Sequence, residues 1–259
     1  MAVSFYKYQG TGNDFVLIDN RDAVVDRTNQ SLFAAWCDRR FGVGADGVIL
    51  LQNHPQYDFE MVYINADGRE GSMCGNGGRC VVQFAHDLGV IGSSTRFLAV
   101  DGEHTAVLSE GLVHLAMQPA GFPETAPDNG FYLNTGSPHH LAWVENLPEY
   151  DVEQVGKRLR WHSYYAPGGT NVNFLERISA KALRVRTYER GVEAETYSCG
   201  TGVTAAALLL AYQEDWTSDF EVAITTSGGQ LKVQAKRVEH GFDDIHLIGP
   251  AKRVFQGSI

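Results

Sequence analysis

The chain lacks the marks of several broad protein classes. Its longest apolar run, around Val203 to Tyr212, falls well short of the roughly 20 residues that a membrane-spanning helix needs. The first residues, MAVSFYKYQGTGNDF, hold neither the apolar segment nor the cleavage site of a secretory signal. Cysteine is scarce, with 4 among 259 residues, so the thiols are expected to be free and the protein cytoplasmic. There is no basic excess either. Lys and Arg number 21 against 31 Asp and Glu, a net charge of −10, and clusters such as Arg158–Arg160 are short. Phosphate backbones need a basic stripe, so nucleic acid is excluded as a partner and no membrane is expected. A small anion held by local donors remains compatible.

Common catalytic signatures are also missing. No P-loop, zincin helix or G-x-S-x-G elbow occurs. GVGADG, Gly42 to Gly47, has the letters of a dinucleotide-binding fingerprint. However, it follows a helix-like segment and precedes the strand-like VILLQ, the reverse of the order that motif requires. Cys74 and Cys80 are too far apart for a zinc half-site and no histidines complete one, so no metal is expected.

What is present is repetition. TGNDFVLIDN (Thr11–Asn20) resembles TGSPHHLAWVEN (Thr135–Asn146), with Phe-Tyr shortly before each. GADGVILL (Gly44–Leu51) matches GTNVNFLE (Gly169–Glu176), and CGNG at Cys74 matches CGTG at Cys199. The spacings agree: Gly12 to Cys74 is 62 and Gly136 to Cys199 is 63, while Gly44 to Cys74 and Gly169 to Cys199 are both 30. After each cysteine segment comes a helix-like run and then three strand-like runs: TRFLAV, HTAVL and LVHLAM in one half, FEVAITT, LKVQAK and DIHLIG in the other. This predicts an α+β protein of two pseudosymmetric, mainly antiparallel domains, each wrapped around a central helix. The expected halves are 1–118 and 119–259, with 251–259 packing back on the first. QPAGFPETAPDNG, which holds three of the 8 prolines, reads as the linker.

Each repeated cysteine is framed by glycines and opens a helix. Val81, Phe84, Ala85 and Leu88 recur at helical spacing after Cys74, and GVTAAALLLAY after Cys199 is apolar on nearly every face, hence buried. Unpaired amides and the positive dipole end at such a position stabilise an anion. They lower a thiol's pKa and, with no Cβ in the way, let a carboxylate approach. Two such half-sites face to face give a cleft in which one thiolate removes a carbon-bound proton while the opposing thiol delivers one to the other face, with no cofactor. Cys37, in SLFAAWCDRRF, which reads as an amphipathic helix, and Cys80 read instead as buried structural thiols.

GTGNDF, INADG, MCGNGGRC, TGSPH, TNVNF, TYERG and ETYSCGTG together resemble the diaminopimelate epimerase family over essentially the whole chain. The resemblance implies a pyridoxal-phosphate-independent isomerase interconverting L,L- and meso-diaminopimelate on the way to lysine and peptidoglycan. It also implies a homodimer of two-domain chains. Cys74 and Cys199 would be the acid/base pair, and Gly75–Asn76 and Gly200–Thr201 would bind the reacting carboxylate through backbone amides. Asn13, Asn65, Asn171, Glu189 and Arg190 would hold the amino groups and the distal carboxylate. His139 and Glu189 would tune the thiols.

Three positions depart from the family pattern. Ser137 stands where many members carry asparagine, and the repeat pairs it with Asn13. Gly47 stands where some carry a substrate-contacting glutamine, so no side-chain contact is expected there. ERGVEAET is one residue longer than the commoner form. The rival with the same cysteine pair is a proline or hydroxyproline racemase, which tends to show C-G-H-G. Asn76 and the Glu189–Arg190 pair favour the longer dicarboxylate. A non-catalytic binding protein would not need the second thiol, and a thiol hydrolase would leave it unexplained.

Overall fold

The computed structural model describes residues 2–259. They form two compact units, one running through Leu115 and taking in Gly249–Ile259, the other Ala116–Ile248. The first contains β1 (Ser4–Gly10), β2 (Asn13–Asp19), α1 (Gln30–Cys37), β3 (Gly47–Gln52), β4 (Glu60–Asn65), α2 (Gly75–Asp87), β5 (Ser94–Ala99), β6 (Gly102–Ser109) and β7 (Leu112–Ala116). The second contains β8 (Glu124–Ala126), β9 (Gly130–Asn134), β10 (Pro138–Trp143), α3 (Val152–Arg160), β11 (Asn171–Ser179), β12 (Ala182–Glu189), β13 (Ala194–Thr196), α4 (Gly200–Gln213), β14 (Phe220–Thr226), β15 (Gly229–Val238) and β16 (Gly241–Gly249). The strand β17 (Lys252–Ser258) then belongs to the first unit.

The two pairing patterns coincide. In the first unit β1–β2, β3–β4, β5–β6 and β6–β7 are antiparallel, while β2–β3 and β4–β5 are parallel. In the second, β9–β10, β11–β12, β14–β15 and β15–β16 are antiparallel, while β10–β11 and β12–β14 are parallel. Even the flanking strand is matched: β17 pairs antiparallel with β1 as β8 does with β9. A parallel pair cannot be closed by a tight turn, and each of the four parallel pairs has one α-helix in its connection. The six strand-like runs after the cysteine segments are strands β5 to β7 and β14 to β16.

The helices inside the parallel connections fall into two kinds. α1 packs on β3, and α3 packs on β11, β12 and β13. α2 and α4 are central instead. α4 buries every residue from Gly202 to Ala211 and contacts β9, β10, β11, β12, β14 and β15. An apolar surface all round leaves no face for water, so strands must enclose it. Burying Leu208, Leu209 and Leu210 alone stabilises the unit by about 2 kcal/mol each. α2 meets β1, β2, β3, β4 and β17 in the same way, with Cys80 through Val82, Phe84 and Ala85 at zero exposure.

Three sequence expectations change. The helix around Cys37 stops there, because the Asp38 carboxylate accepts from the Arg40 and Phe41 amides, both at 2.7 Å, and turns the chain. The proline-rich segment is more than a linker: Ala120 forms a bridge with Phe242, and β8 lies within it. The pairing of Ser137 with Asn13 is also wrong. β1 and β2 are joined by a two-residue turn, Thr11–Gly12, with φ of 50° and 87°. β9 and β10 pair Asn134 with Pro138, which leaves a three-residue turn. The extra residue lies in that turn, so Pro138 is the structural counterpart of Asn13 and Ser137 is a turn residue. No helix among the described residues is long and apolar enough to cross a membrane.

Gly156 shows how closely α3 is seated, since a Cβ there would lie 2.4 Å from the Tyr188 Cβ. Gly→Ala in a helix ordinarily gains about 1 kcal/mol in propensity. Here overpacking is expected to win, with Gly156→Ala destabilising the protein by about 1–3 kcal/mol. Denaturant unfolding of the variant and the parent checks the sign.

Candidate functional site

Each central helix begins at a cysteine. Cys74 precedes α2 with φ −112°, ψ 117°, and Cys199 precedes α4 with φ −108°, ψ 111°. Neither side chain caps its helix. The helical ladder begins with Gly78 N donating to Cys74 O at 2.7 Å and Val203 N donating to Cys199 O at 3.0 Å. The three amides between cap and ladder in each helix, those of residues 75–77 and 200–202, have no helical acceptor and point out of the helix end, where a carboxylate can be received.

In the first unit the thiol lies beside a chain of amides. The tight Thr11–Gly12 turn delivers Asn13 to the start of β2, where its Oδ1 accepts from Cys74 Sγ at 3.6 Å and from Asn76 Nδ2 at 3.3 Å. The Asn13 amide nitrogen donates to Asp46 at 2.6 Å. Asp14 pairs with Lys7 at 2.6 Å and with Arg39 at 2.7 Å. Burial pulls the Asp14 carboxyl upward, but the hydrogen bonds from Arg39 and Lys7 outweigh it and hold the group below the usual carboxylate range. Beneath the helix start, the fully buried Arg79 donates to Thr11 Oγ1 and Asn76 Oδ1, both at 3.1 Å. Burial works against its charge and lowers its pKa. Asn65 ends β4, and Gly71 is glycine because a Cβ there would lie 2.8 Å from the Asn65 Oδ1. Gly47 is likewise forced, since a Cβ would meet Ile64 O at 2.5 Å and Tyr63 at 2.6 Å, so no side chain reaches out from this position.

In the second unit Cys199 Sγ lies 3.6 Å from Thr201 Oγ1, which is 2.9 Å from His139 Nε2. His139 is completely buried. That burial, followed by the charge of Arg190, pushes it down to about 3, so the ring is neutral. Its Nδ1 is 3.0 Å from the amide nitrogen of Asn173. Gly202 is glycine because Asn173 Oδ1 would sit 2.2 Å from a Cβ. Asn171 gives its amide to the backbone, donating to Pro138 O at 3.1 Å and accepting from Arg190 N at 2.8 Å. It thereby fixes the base of the Glu189–Arg190 pair. Glu189 accepts from Thr196 at 2.9 Å. Among the described arginines of this unit, Arg158, Arg160, Arg177, Arg184, Arg186 and Arg237 each pair with a carboxylate, and Arg190, exposed, pairs with none.

The structure therefore groups Cys74, Gly75, Asn76 and Asn13 in one unit, and Cys199, Gly200, Thr201 and His139 in the other. His139 reaches its thiol through Thr201. Sequence reasoning missed Arg79, Asp46, Asn173 and the hydroxyl of Thr201. Only the last had a signal, since Thr201 repeats the position of Asn76. Cys37 and Cys80 are buried, and burial pushes their thiols up to about 11 and about 12.

Comparison with known proteins places these features in a family. The diaminopimelate epimerase family profile matches residues 5–117 and 131–254. The diaminopimelate epimerase of Flavobacterium psychrophilum is 45% identical over 99% of this chain and 100% of its own. That of Chlorobaculum tepidum is 44% identical over 96% and 98%. Among solved structures, a phenazine biosynthesis protein of the PhzF family from Bacillus anthracis superposes with a TM-score of 0.82 at 14% identity, covering 100% of this chain and 99% of that one. A hydroxyproline epimerase from Agrobacterium vitis does so with 0.68 at 14%, covering 100% and 92%. At such identities the structural neighbours speak for the fold alone.

The buried histidines make stability depend on pH. Burial holds His139 down to about 3 and His140 down to about 4, against an ordinary value of 6.5. Between those limits the unfolded chain binds protons that the folded chain does not. Stability is therefore greatest above about pH 6.5 and falls with decreasing pH, by at most about 1.4 kcal/mol per pH unit for each histidine. Unfolding free energies at pH 7 and pH 5 should show the drop, and His139→Gln should flatten it.

Proposed function

The chain belongs to the diaminopimelate epimerase family, and from that premise we propose that Cys74 and Cys199 exchange the α-proton of diaminopimelate, interconverting its L,L and meso forms. The observation that carries this reading is the pair of matching helix starts, each with a cysteine at the cap and first-turn amides that precede the helical ladder beside it. One thiolate takes the hydrogen from Cα and becomes a thiol. The electron pair left on carbon delocalises into the carboxylate, whose growing charge the first-turn amides of Gly75–Asn76 and Gly200–Thr201 stabilise. The second thiol protonates the opposite face of the carbon and becomes the thiolate. The carbon is inverted, no group is lost, and the cysteines have exchanged protonation states.

The unpaired guanidinium of Arg190 suits the distal carboxylate, with Glu189, Asn13, Asn65 and Asn171 around the amino groups. The wider reading is of a cytoplasmic homodimer, supported by four free thiols and the family resemblance. The racemase alternative has less in its favour, because the hydroxyproline epimerase neighbour is only 14% identical.

Incubation with L,L-diaminopimelate in deuterated water should give inversion with deuterium at the α-carbon, whereas L-proline should not exchange; the reverse result would transfer the reading to the racemases. Cys74→Ala and Cys199→Ala should each reduce inversion by at least about 100-fold, and near-normal inversion by either would eliminate the two-thiol mechanism. Because the active pair carries one proton, kcat/KM should be bell-shaped in pH, with both limbs belonging to the coupled pair. Arg190→Ala should lower kcat/KM by about 10- to 150-fold, the loss expected for a charged hydrogen bond. An unchanged value would remove Arg190 from the substrate site.

A further inference from the structure

Cys74 and Cys199 cap helix starts of nearly the same backbone geometry, so the first-turn amides act on both thiols alike. The polar side chains at the two sulfurs differ. At Cys199 the neighbour is a hydroxyl, which can donate or accept. Its direction can be traced link by link from the far end of the network. Asn173 Nδ2 lies 3.0 Å from His140 O, which only accepts, and Asn173 Oδ1 accepts from Thr187 Oγ1 at 2.9 Å. The backbone carbonyl thus fixes the amide orientation, the Thr187 hydroxyl is compatible with it, and the NH₂ that faces His139 Nδ1 can only donate. Nδ1 is therefore unprotonated. Since the buried ring is neutral, its one proton is on Nε2, directed at Thr201 Oγ1. Having accepted there, the Thr201 hydroxyl has its own proton to give to Cys199 Sγ. Every link runs the same way: Asn173 to His139, His139 to Thr201, Thr201 to Cys199.

We infer that the Thr201 hydroxyl is a hydrogen-bond donor to a Cys199 thiolate, held in that sense by His139 and Asn173, so that Cys199 is the base of the substrate-free enzyme. This rests on the two-thiol reading and adds a direction to it. On the Cys199 side His139 is buried and neutral, with the positive charge of Arg190 acting on its ring in the same sense as burial, and the acidic Glu189 next to Arg190 accepts from Thr196. On the Cys74 side the partner is a carbonyl oxygen. Asp46 holds the NH₂ end of Asn13, so Oδ1 is what the thiol meets, and it accepts the S–H proton and favours the protonated form. Arg79 acts on Cys74 in the opposite sense, but its described donors go to Thr11, Gly75 O and Asn76. Cys80 is the neighbouring thiol, and Asp14, Asp46, Lys7 and Arg39 balance one another nearby.

The test uses the full chain without substrate. Thiolate absorbance near 240 nm is followed against pH in Cys74→Ser, which leaves Cys199 as the one thiol of the pair, Cys37 and Cys80 being pushed up to about 11 and about 12. The Cys199 midpoint is expected below the ordinary thiol value of about 8.5. Thr201→Val, which keeps the shape and removes the hydroxyl, should raise that midpoint by about one pH unit or more, and Thr201→Ser should restore it. Independently, the imidazole ¹⁵N spectrum of the parent should show His139 protonated at Nε2 and bare at Nδ1, a measurement that needs no folded variant. An unmoved midpoint in Thr201→Val, or a His139 proton on Nδ1, overturns the inference. If instead Cys199→Ala still inverts substrate, the two-thiol reading fails while the midpoint shift remains measurable, so the two failures are distinguishable.

Discussion

A helix that is apolar on every face has to be enclosed, and the rest of the second unit follows from that requirement. α4 can be sheathed only by strands on all sides, and the strands reach that arrangement through parallel pairs whose connections are helices. Once the flanks are sealed, the first-turn amides at the N-terminal end are the backbone donors that the helical ladder does not use. The sequence places glycines and a cysteine there rather than a capping serine or aspartate, and the cysteine side chain does not cap the helix. The candidate site is thus a by-product of burial. The fold creates an anion-seeking helix end and sets a cysteine at its cap.

The repeat made much of this readable in advance. Spacings between glycines and cysteines located both helix starts and both sets of strands, because a duplicated fold duplicates its punctuation. The errors arose where one residue mattered. The longer turn before Pro138 moved Ser137 out of register with Asn13, and sequence spacing registers an extra residue without saying where it lies. α1 ended at Cys37 because of Asp38, whose capping by side chain competes with a helix pattern that continues on paper. Thr201, His139 and Asn173 lie on three separate elements, and only the folded backbone brings them together. Hydrogen-bond direction is less visible still, since it follows from which partners can only give and which can only take.

Electrostatically the second unit is economical. Six of its described arginines are committed to carboxylates, which leaves unclaimed the exposed charge of Arg190, whose own backbone amide is held by Asn171. The first unit does the opposite with Arg79, enclosing the charge under the helix start among neutral acceptors. One guanidinium is presented to solvent and the other sets the orientation of Asn76 from below.

The strand β17 has a consequence for how the protein is made. It completes the sheet beside β1, yet it is translated only after the whole of the second unit. The second unit, contiguous in sequence, can close as soon as it emerges from the ribosome. The first must wait with the edge of β1 unpaired while more than a hundred further residues are synthesised. During that interval the exposed edge is open to pairing with another nascent chain, so the half translated first is the half whose folding finishes last.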